Sequence, residues 1–262
     1  MAELESYDDK NLWIRFEGND WLVKVHNGVE SKDLIDKLEI SNAKRKHEES
    51  SSSSPSSSSS SSTSESYKQS AIHLQNAMMM HLREHGITTN YPQNPDRGDF
   101  VSAPTPVSVH ALPVVSKEHS PSKLVVRLLS WVDGRPMSAF PMLPLEALAD
   151  AGRFLGKLSV CLSSLKTNEL AACKRYHQWD GKNTADLRDF VQYIDDEQRK
   201  EMVTSVIDSF QSELIDSKVA QTSFQKALIH GDFNDANFLL DDNFCVSGVI
   251  DFGDSVERYV VK

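Results

Sequence analysis

Two short apolar segments near the end of the sequence each lead directly into polar side chains. The first leads into His230 and Asp232, with Asn237 on the loop that follows, and the second leads into Asp251. Turn-forming residues at 241–243 separate the two segments and predict a chain reversal, so we expect the polar side chains to converge. The two segments are Ala227–Ile229 and Val246–Ile250. The fold must therefore bring two strand ends together at one polar site.

Carboxylate and amide oxygens in this arrangement suit the transfer of a phosphoryl group to an alcohol. That reaction needs a carboxylate that orients the acceptor hydroxyl and takes its proton, and it needs oxygen ligands for a Mg²⁺ ion bound to the nucleotide phosphates. Asp232 suits the first role, and Asn237 and Asp251 suit the second. His-Gly-Asp and Asp-Phe-Gly are each common structural sequences. Their ordered combination, with an apolar strand before each aspartate, favours the catalytic interpretation.

The charge balance restricts the partners of the chain. Of the 262 residues, 38 are acidic and 28 are Lys or Arg, which gives a net charge of −10 at pH 7. This balance argues against a protein that binds nucleic acid or an anionic membrane, and it is compatible with a cationic small molecule as partner. The length suits one large domain or two lobes that share a cleft.

The sequence also predicts a reduced, cytoplasmic protein. No apolar run approaches the roughly 20 residues that span a bilayer, and the acidic start Met1–Glu5 lacks the basic-then-apolar order of a signal peptide. The three cysteines, Cys161, Cys173 and Cys245, are far apart and form no C-x-x-C pair. We therefore expect neither a disulfide framework nor a structural zinc site.

The first ordered stretch predicts a β-hairpin. The segments 11–16 and 21–25 are rich in strand-forming residues, and 17–20 between them is typical of a turn. Lys24 lies in the second strand, on the face opposite Val23. A lysine at such a position most often lies at an edge or faces solvent. The functional alternative is a lysine that points into a cleft and holds phosphate.

A polar insert and a helix follow the hairpin. A helix could begin at Ser31, but the serine tract 50–64 cannot bury enough apolar surface to become ordered. We therefore expect a disordered insert over about 44–68. Apolar residues at helical spacing over 72–82, with Gly86 as a C-terminal cap, predict the next helix.

The remaining sequence predicts a loop, a buried strand and a helical region. Residues 90–121 are rich in proline and predict a loop with an edge strand, and 123–132 predict a buried strand. The turn at 133–136 suits a hinge, which divides the chain into 1–132 and 133–262. The helices predicted after it are 143–165, 186–194 and 197–214, and the apolar face of the first includes Leu145, Leu148 and Leu155.

The run His230-Gly-Asp-Phe-Asn-Asp-Ala-Asn237, together with Ile250-Asp-Phe-Gly-Asp254, resembles the signature of the aminoglycoside phosphotransferase and choline kinase-like superfamily. The resemblance implies an α+β, two-lobed protein-kinase-like fold with a small β-rich N-lobe and a mainly helical C-lobe. Within the superfamily, the sequence resembles the hydroxylysine kinases. That narrower resemblance is carried by 6–11, 124–129, 134–136, 230–237 and 246–252.

The resemblance implies a role for each matching residue. Asp232 would be the catalytic base, with His230 supporting its loop. Asn237 and Asp251 would bind Mg²⁺. Lys24 would hold the α- and β-phosphates of the nucleotide, which favours the cleft interpretation of this lysine.

The resemblance also implies the ligands. Ser6 and Asn11 would belong to the loop above the nucleotide, which would be GTP, with ATP as the other possible donor. The acceptor would be the side-chain hydroxyl of 5-hydroxy-L-lysine, a cationic amino acid, and Asp235 is a candidate partner for its ammonium group. Nothing in the sequence indicates an oligomeric state.

The sequence departs from the pattern of the superfamily in three places. The strand that should precede Ser6 and the helices that should follow Asp254 are expected to be missing, as in a chain truncated at both ends. The helix that should pair a glutamate with the strand lysine is interrupted by the insert. Gln75 falls at the glutamate position, and Asp36 and Glu39 are displaced alternatives.

Two alternative functions stay open at this point. One keeps the kinase chemistry but changes the acceptor to choline, ethanolamine, homoserine or an aminoglycoside. The other is a truncated, non-catalytic protein that retains nucleotide binding.

Overall fold

The computed structural model describes residues 1–4, 9–26, 71–93, 110–114, 122–166, 170, 176–177 and 179–260. Its N-terminal part contains an antiparallel five-stranded sheet and a long helix, and the rest is mainly helical with two small sheets. The strands of the large sheet, in the order β1-β2-β3-β5-β4, are β1 (Ala2–Leu4), β2 (Lys10–Phe16), β3 (Asn19–Val25), β4 (His110–Val114) and β5 (Ser122–Ser130). The α+β class predicted from the sequence is confirmed.

Strands β2 and β3 form the predicted hairpin. Glu17 and Gly18 connect them with φ angles of 50° and 81°. Two successive positive φ angles are the feature of a type I′ turn, whose twist matches that of the flanking strands. The resulting register sets Asn11 directly opposite Lys24.

The first strand, which we expected to be missing, is present. β1 pairs antiparallel with β2, and Leu4 lies opposite Asn11. The prediction is wrong because the acidic N-terminal segment has no pattern of strand-forming residues. The open edge of β2 offers backbone hydrogen-bonding groups, and β1 pairs with these groups. Backbone groups are the same in every residue type, so the sequence does not reveal this pairing.

Helix α1 (Ala71–Glu84) has the predicted position and the predicted end. The N–H of Ile87 donates to the carbonyl of Leu82 at 2.9 Å, and the N–H of Gly86 donates to that of Arg83 at 3.0 Å. With Gly86 at a φ of 72°, these bonds form a Schellman motif. The predicted apolar face is buried, and it consists of Ile72, Leu74, Met78, Met79 and Leu82.

Four α-helices lie in the described residues after β5. They are α2 (Leu145–Ser163), α3 (Arg188–Val191), α4 (Glu197–Phe210) and α5 (Lys218–Ser223). The helices predicted over 143–165 and 197–214 are confirmed. The helix predicted over 186–194 is shorter than expected, because α3 is a single turn that directly follows a 3₁₀ helix, Gly181–Leu187. That 3₁₀ helix begins at Gly181, where the side chain of Asp180 caps it by accepting from the N–H of Lys182.

The core-facing stripe of α2 is narrower than predicted. Leu145, Leu148 and Leu155 are exposed, although the apolar pattern predicts that they lie on the core-facing side of the helix. The residues of α2 that the core buries are Ala147, Ala151, Leu158, Cys161 and Leu162, whose spacing follows a single helical stripe. Apolar periodicity alone does not show how wide a stripe the neighbouring elements cover.

Two small sheets complete the described structure. The strands β6 (Arg135–Pro136), β8 (Phe238–Leu240) and β9 (Val246–Val249) form one of them. In the other, β7 (Gln225–Ile229) pairs antiparallel with β10 (Val256–Val260). β8 and β9 form the hairpin predicted from the turn at 241–243. Leu74 and Met78 of α1 share one core with Leu158 of α2 and with Val249 and Phe252, so the polar loops after β7 and β9 rest on a packed support.

Several predictions fall outside the described residues. They concern Ser6, the helix predicted from Ser31, the serine tract and insert, and the alternatives Asp36 and Glu39. The division of the chain at 132/133 stays a prediction. No helix in the described ranges combines the length and the apolar character that crossing a bilayer requires.

Candidate active site

His230 joins the two loops that carry the acidic groups. Its Nε2 lies 2.9 Å from the carbonyl oxygen of Ile250, and its Nδ1 accepts from the N–H of Asp232 at 3.3 Å. A carbonyl can only accept, so Nε2 carries the proton and the ring is neutral. Burial lowers the pKa of His230 below its ordinary value and outweighs the opposing carboxylates of Asp251, Asp232 and Asp254. His230 is therefore a positioning residue that links the two loops.

Gly231 allows the backbone of one loop to approach the other closely. Its φ is 90°, and a Cβ placed on it would lie 2.0 Å from the carbonyl oxygen of Asp254. Any side chain here would meet both backbone strain and a collision with main-chain atoms. The His-Gly-Asp sequence therefore needs glycine at its second position for a steric reason.

We expect Gly231→Ala to lower the free energy of unfolding by at least about 3 kcal/mol, and Gly18→Ala to lower it by about 1 kcal/mol. Gly18 is a matched control because its φ is also positive, at 81°, while nothing lies within 4 Å of a Cβ built there. Urea denaturation of both variants measures the difference. Equal losses would show that Asp254 does not restrict this position.

The carboxylate of Asp232 is held by two amide side chains. Asn237 Nδ2 donates to Asp232 Oδ2 at 2.7 Å, and Asn234 Nδ2 donates to Oδ1 at 2.9 Å. An ionised carboxylate has about four lone-pair sites, so these two bonds orient the group and leave sites for a further donor. The half-buried Asp232 can therefore accept a proton from a hydroxyl that approaches it.

Asn237 connects Asp232 to the loop that carries Asp251. Its side-chain Nδ2 also donates to the backbone carbonyl of Asp232 at 3.0 Å, and its own carbonyl accepts from the N–H of Ile250 at 2.8 Å. Because the amide nitrogen faces Asp232, the amide oxygen at the other end of the planar group is turned away from it. The convergence predicted for Asp232, Asn237 and the strand end before Asp251 is therefore present.

Asp251 has a backbone conformation that is rare for an L-residue. Its φ is 63°, in the left-handed region, and its Oδ1 accepts from the N–H of Gly253 at 3.2 Å. Oδ1 also lies 3.3 Å from Lys24 Nζ, and 40% of the side chain is exposed. Burial alone would raise the pKa of Asp251, but Lys24 and the Gly253 N–H lower it below its ordinary value. Asp251 is therefore an ionised oxygen donor at neutral pH.

Lys24 is buried and points toward this site. Only 8% of its side chain is exposed, and Nζ lies 2.9 Å from Asp9 Oδ2 and 3.3 Å from Asp251 Oδ1. The interpretation of Lys24 as an edge or solvent-facing residue is therefore wrong. Burial alone would lower the pKa of Lys24, but the carboxylates of Asp251 and Asp9 raise it above its ordinary value. A charged ammonium group is thus held beside the carboxylate of Asp251.

Asp9 is a partner of Lys24 that was not predicted from the sequence. Asp9 lies just before β2, and its Oδ2 is also 3.7 Å from His26 Nδ1. A possible signal is the position of Asp9 two residues before Asn11, since Asn11 lies opposite Lys24 in the hairpin. That signal depends on the register of β2 and β3, which the turn determines.

Gln75 lies in a second buried polar network centred on Arg127. Arg127 donates to Gln75 Oε1 and Asn76 Oδ1, each at 2.6 Å, and to His26 Nε2 at 2.7 Å. The resemblance predicts Gln75 at the position of the glutamate that pairs with Lys24. Its Oε1 accepts from Arg127, which lies opposite Lys24 on β5. These hydrogen bonds anchor α1 to β5, the strand next to the one that carries Lys24.

The other predicted site residues differ in their surroundings. Asn11 lies within β2 rather than in the predicted loop. It is opposite Lys24, and its Oδ1 is buried without a hydrogen-bond partner among the described residues. Asp235 is exposed, and its backbone carbonyl accepts from the N–H of Ser138 at 2.9 Å. These positions are compatible with the ligand roles predicted for them, which stay predictions, as does the role of Ser6.

The donor atoms at this site fit a magnesium ion. Asp251 supplies an ionised carboxylate, and Asn237 supplies an amide oxygen on the adjoining loop. Mg²⁺ prefers such hard oxygen ligands and keeps several waters, so few protein ligands are needed. The same residues would therefore hold the metal ion that a bound triphosphate requires.

The comparison with known sequences gives a family and several relatives. Residues 4–258 match the family model described as APH, the phosphotransferase enzyme family. Hydroxylysine kinase of Bos taurus is 29% identical over 199 residues, which cover 72% of this chain and 50% of that protein. Hydroxylysine kinase of Mus musculus is 26% identical over the same shares of the two chains. The chain spans about half the length of the curated relatives that it matches.

Solved structures show the same fold. The GDP complex of wild-type aminoglycoside 2′-phosphotransferase-IIIa has a TM-score of 0.51 at 16% identity, covering 98% of this chain and 67% of that one. A thermostable mutant of aminoglycoside phosphotransferase APH(4)-Ia, in its apo form, has a TM-score of 0.51 at 11% identity over the same shares. The kinase-like fold implied by the sequence resemblance is confirmed. Since the family model covers nearly the whole chain, the protein belongs to the APH phosphotransferase enzyme family.

Proposed function

We propose that the protein transfers the terminal phosphoryl group of a nucleoside triphosphate to the hydroxyl group of a small molecule. The observation that carries this proposal is a continuous series of contacts from Asp232 to Lys24. Asp232 Oδ2 is 2.7 Å from Asn237 Nδ2, the carbonyl of Asn237 accepts from Ile250, and Asp251 is 3.3 Å from Lys24 Nζ. These contacts link the proposed proton acceptor and the proposed metal-binding residues to a cation.

Asp232 is the proposed base. It orients the acceptor hydroxyl and takes its proton as the hydroxyl oxygen bonds to the terminal phosphorus. The bond from that phosphorus to the bridging oxygen breaks, and the nucleoside diphosphate leaves. The two amide donors hold the carboxylate in place before the acceptor binds, and such positioning supplies much of the catalysis in this class of reaction.

The nucleotide would lie between β3 and the loop after β9. Asn237 and Asp251 would hold Mg²⁺, which neutralises negative charge on the phosphates. Lys24 would contact the α- and β-phosphates, and its ammonium group is already charged and oriented by Asp251. The buried Asn11 Oδ1 supports a ligand contact at this end of the sheet, because an unpaired buried acceptor is costly.

We propose 5-hydroxy-L-lysine as acceptor and GTP as donor, with ATP as the other possible donor. The similarity to two hydroxylysine kinases supports the acceptor, and the net charge of −10 suits a cationic amino acid. Exposed Asp235 is the proposed partner of the substrate ammonium group. The donor preference rests on the resemblance to hydroxylysine kinases. A cytoplasmic location would supply both ligands.

An acceptor panel tests the proposal. We expect nucleoside diphosphate release with 5-hydroxy-L-lysine, with a higher kcat/KM for GTP than for ATP. L-Lysine is the matched control because it has the same charges and lacks the hydroxyl group, so it should give no acceptor-dependent release. Faster turnover with choline, ethanolamine, homoserine or an aminoglycoside would replace the proposed acceptor. Mg²⁺-dependent GTP binding without turnover on any acceptor would favour the non-catalytic alternative.

A further inference from the structure

Two histidines and a cysteine come together where α1 and α2 meet. His81 lies in the last turn of α1, His85 directly follows the end of that helix, and Cys161 lies in the last turn of α2. One ligand atom from each of the three side chains lies within 4.8 Å of the others. His81 is six residues beyond Gln75, about 9 Å along the helix axis, so this cluster is separate from the nucleotide site.

The surroundings of both rings hold them in a form that can bind a metal. His81 Nε2 lies 3.0 Å from the carbonyl oxygen of Cys161, and His85 Nδ1 lies 2.8 Å from the carbonyl oxygen of His81. Since a carbonyl accepts only, each of these nitrogens carries a proton when the ring is neutral, and the other nitrogen of each ring keeps its lone pair. Metal-binding histidines commonly donate their second nitrogen to a carbonyl in this way.

We propose that His81, His85 and Cys161 form a binding site for one zinc ion. Two imidazole nitrogens and a thiolate sulfur are typical zinc ligands, whereas Mg²⁺ prefers oxygen. Zinc–ligand bonds of about 2.0–2.3 Å place tetrahedral ligand atoms about 3.5 Å apart, so side-chain rotations that close the group by about 1 Å complete the site. His85 is exposed, which gives the ion a route from solvent.

The absence of a C-x-x-C pair led us to expect no structural zinc site. That argument covers cysteines that are close in sequence, and here the packing of two helices brings the ligands together.

Zinc at this position would connect α1 to α2. Helix α1 is anchored through Gln75 and Asn76 to Arg127 on β5, and α2 packs in the mainly helical part of the chain. A bound ion would therefore restrain the helix that lies beside the Lys24 strand. Because it would bind the folded state, zinc would also raise the Tm of the protein.

Metal titration of the purified, chelator-treated protein tests the site. We expect one Zn²⁺ per chain in competition with a chromophoric chelator, and one Co²⁺ with a thiolate-to-cobalt absorption band. His85→Ala should weaken Zn²⁺ binding at least about tenfold, and Cys161→Ser should abolish the thiolate band. The exposed position of His85 makes its variant informative, because no core packing is lost.

Two substitutions serve as controls. His73→Ala removes a histidine two turns earlier on α1, and Cys245→Ser removes an exposed free cysteine elsewhere in the chain. Both should keep wild-type affinity for Zn²⁺ and the cobalt band. Binding that is equally strong in the wild type and in His85→Ala, a cobalt complex without a thiolate band, or no binding at all would each overturn the proposal. The test does not depend on phosphoryl transfer.

Discussion

Replacement of Asp232 by Asn should lower kcat for phosphoryl transfer by about 10²–10⁴-fold, the usual contribution of a positioned general base. The amide is nearly the same size as the carboxylate but cannot take the proton of the acceptor hydroxyl. Nucleotide affinity should change little, because Lys24 and Asp251 are unaltered. Rates of GDP release with 5-hydroxy-L-lysine, and GTP binding by calorimetry, measure the two quantities separately.

Asp242→Asn is the matched control for this experiment. It makes the same change of charge in the turn between β8 and β9, where the side chain of Asp242 is 98% exposed and lies 3.8 Å from Arg135. Its kcat should equal that of the wild type. Comparable kcat values for Asp232→Asn and the wild type would exclude Asp232 as the base, even if the protein is a kinase.

Lys24→Met should cause a large loss of both stability and nucleotide binding. The substitution removes the cation that lies 2.9 Å from Asp9, whose side chain is only 10% exposed, and it leaves that carboxylate without its ion-pair partner. Removal of one member of a buried pair costs about 3–5 kcal/mol. Urea denaturation at pH 7 measures the loss, and a GTP titration measures binding.

A second substitution separates the two effects of Lys24→Met. Asp9→Asn in the Lys24→Met background removes the unpaired charge, so it should restore much of the stability while leaving nucleotide binding weak. Lys10→Met is the control, since its pair with Glu3 is exposed and contributes at most about 1 kcal/mol. If Lys24→Met were no less stable than Lys10→Met, the pairing of Lys24 with Asp9 would have no energetic role.

The loss of stability caused by Lys24→Met should depend on pH in a definite direction. The folded pKa of Asp251 is lowered, so its contribution is present above the ordinary carboxyl pKa of about 3.9 and decreases as the pH falls through the folded value. The folded pKa of Lys24 is raised, so its contribution is lost as the pH rises through that folded value. The difference between wild type and Lys24→Met should therefore be largest near neutral pH and decrease in acid.

The local part of the site was predictable from the sequence. His230, Asp232 and Asn237 lie within eight residues, and a turn connects β8, the strand after Asn237, to the strand before Asp251. Strand ends and amide spacing are short-range features, and they determine how these groups meet. The cap at Gly86 and the turn at Glu17 and Gly18 were predictable for the same reason.

The rest depends on contacts between distant parts of the chain. The pairing of Lys24 with Asp9, and of Arg127 with Gln75, requires the register of three strands and the packing of α1 on the sheet. Likewise, β1 forms because β2 offers an edge, and the buried stripe of α2 is determined by its neighbours. These properties belong to the assembled fold, so a linear pattern of residue types does not contain them.

The left-handed backbone of Asp251 affects how any mutagenesis of this position should be interpreted. Asparagine and aspartate tolerate that conformation better than alanine or the β-branched residues do. Replacement of Asp251 by alanine would therefore strain the backbone and remove the charged ligand at the same time, so the two effects could not be separated. Replacement by asparagine removes only the charge. It is therefore the informative substitution for measuring how metal binding and nucleotide binding depend on Asp251.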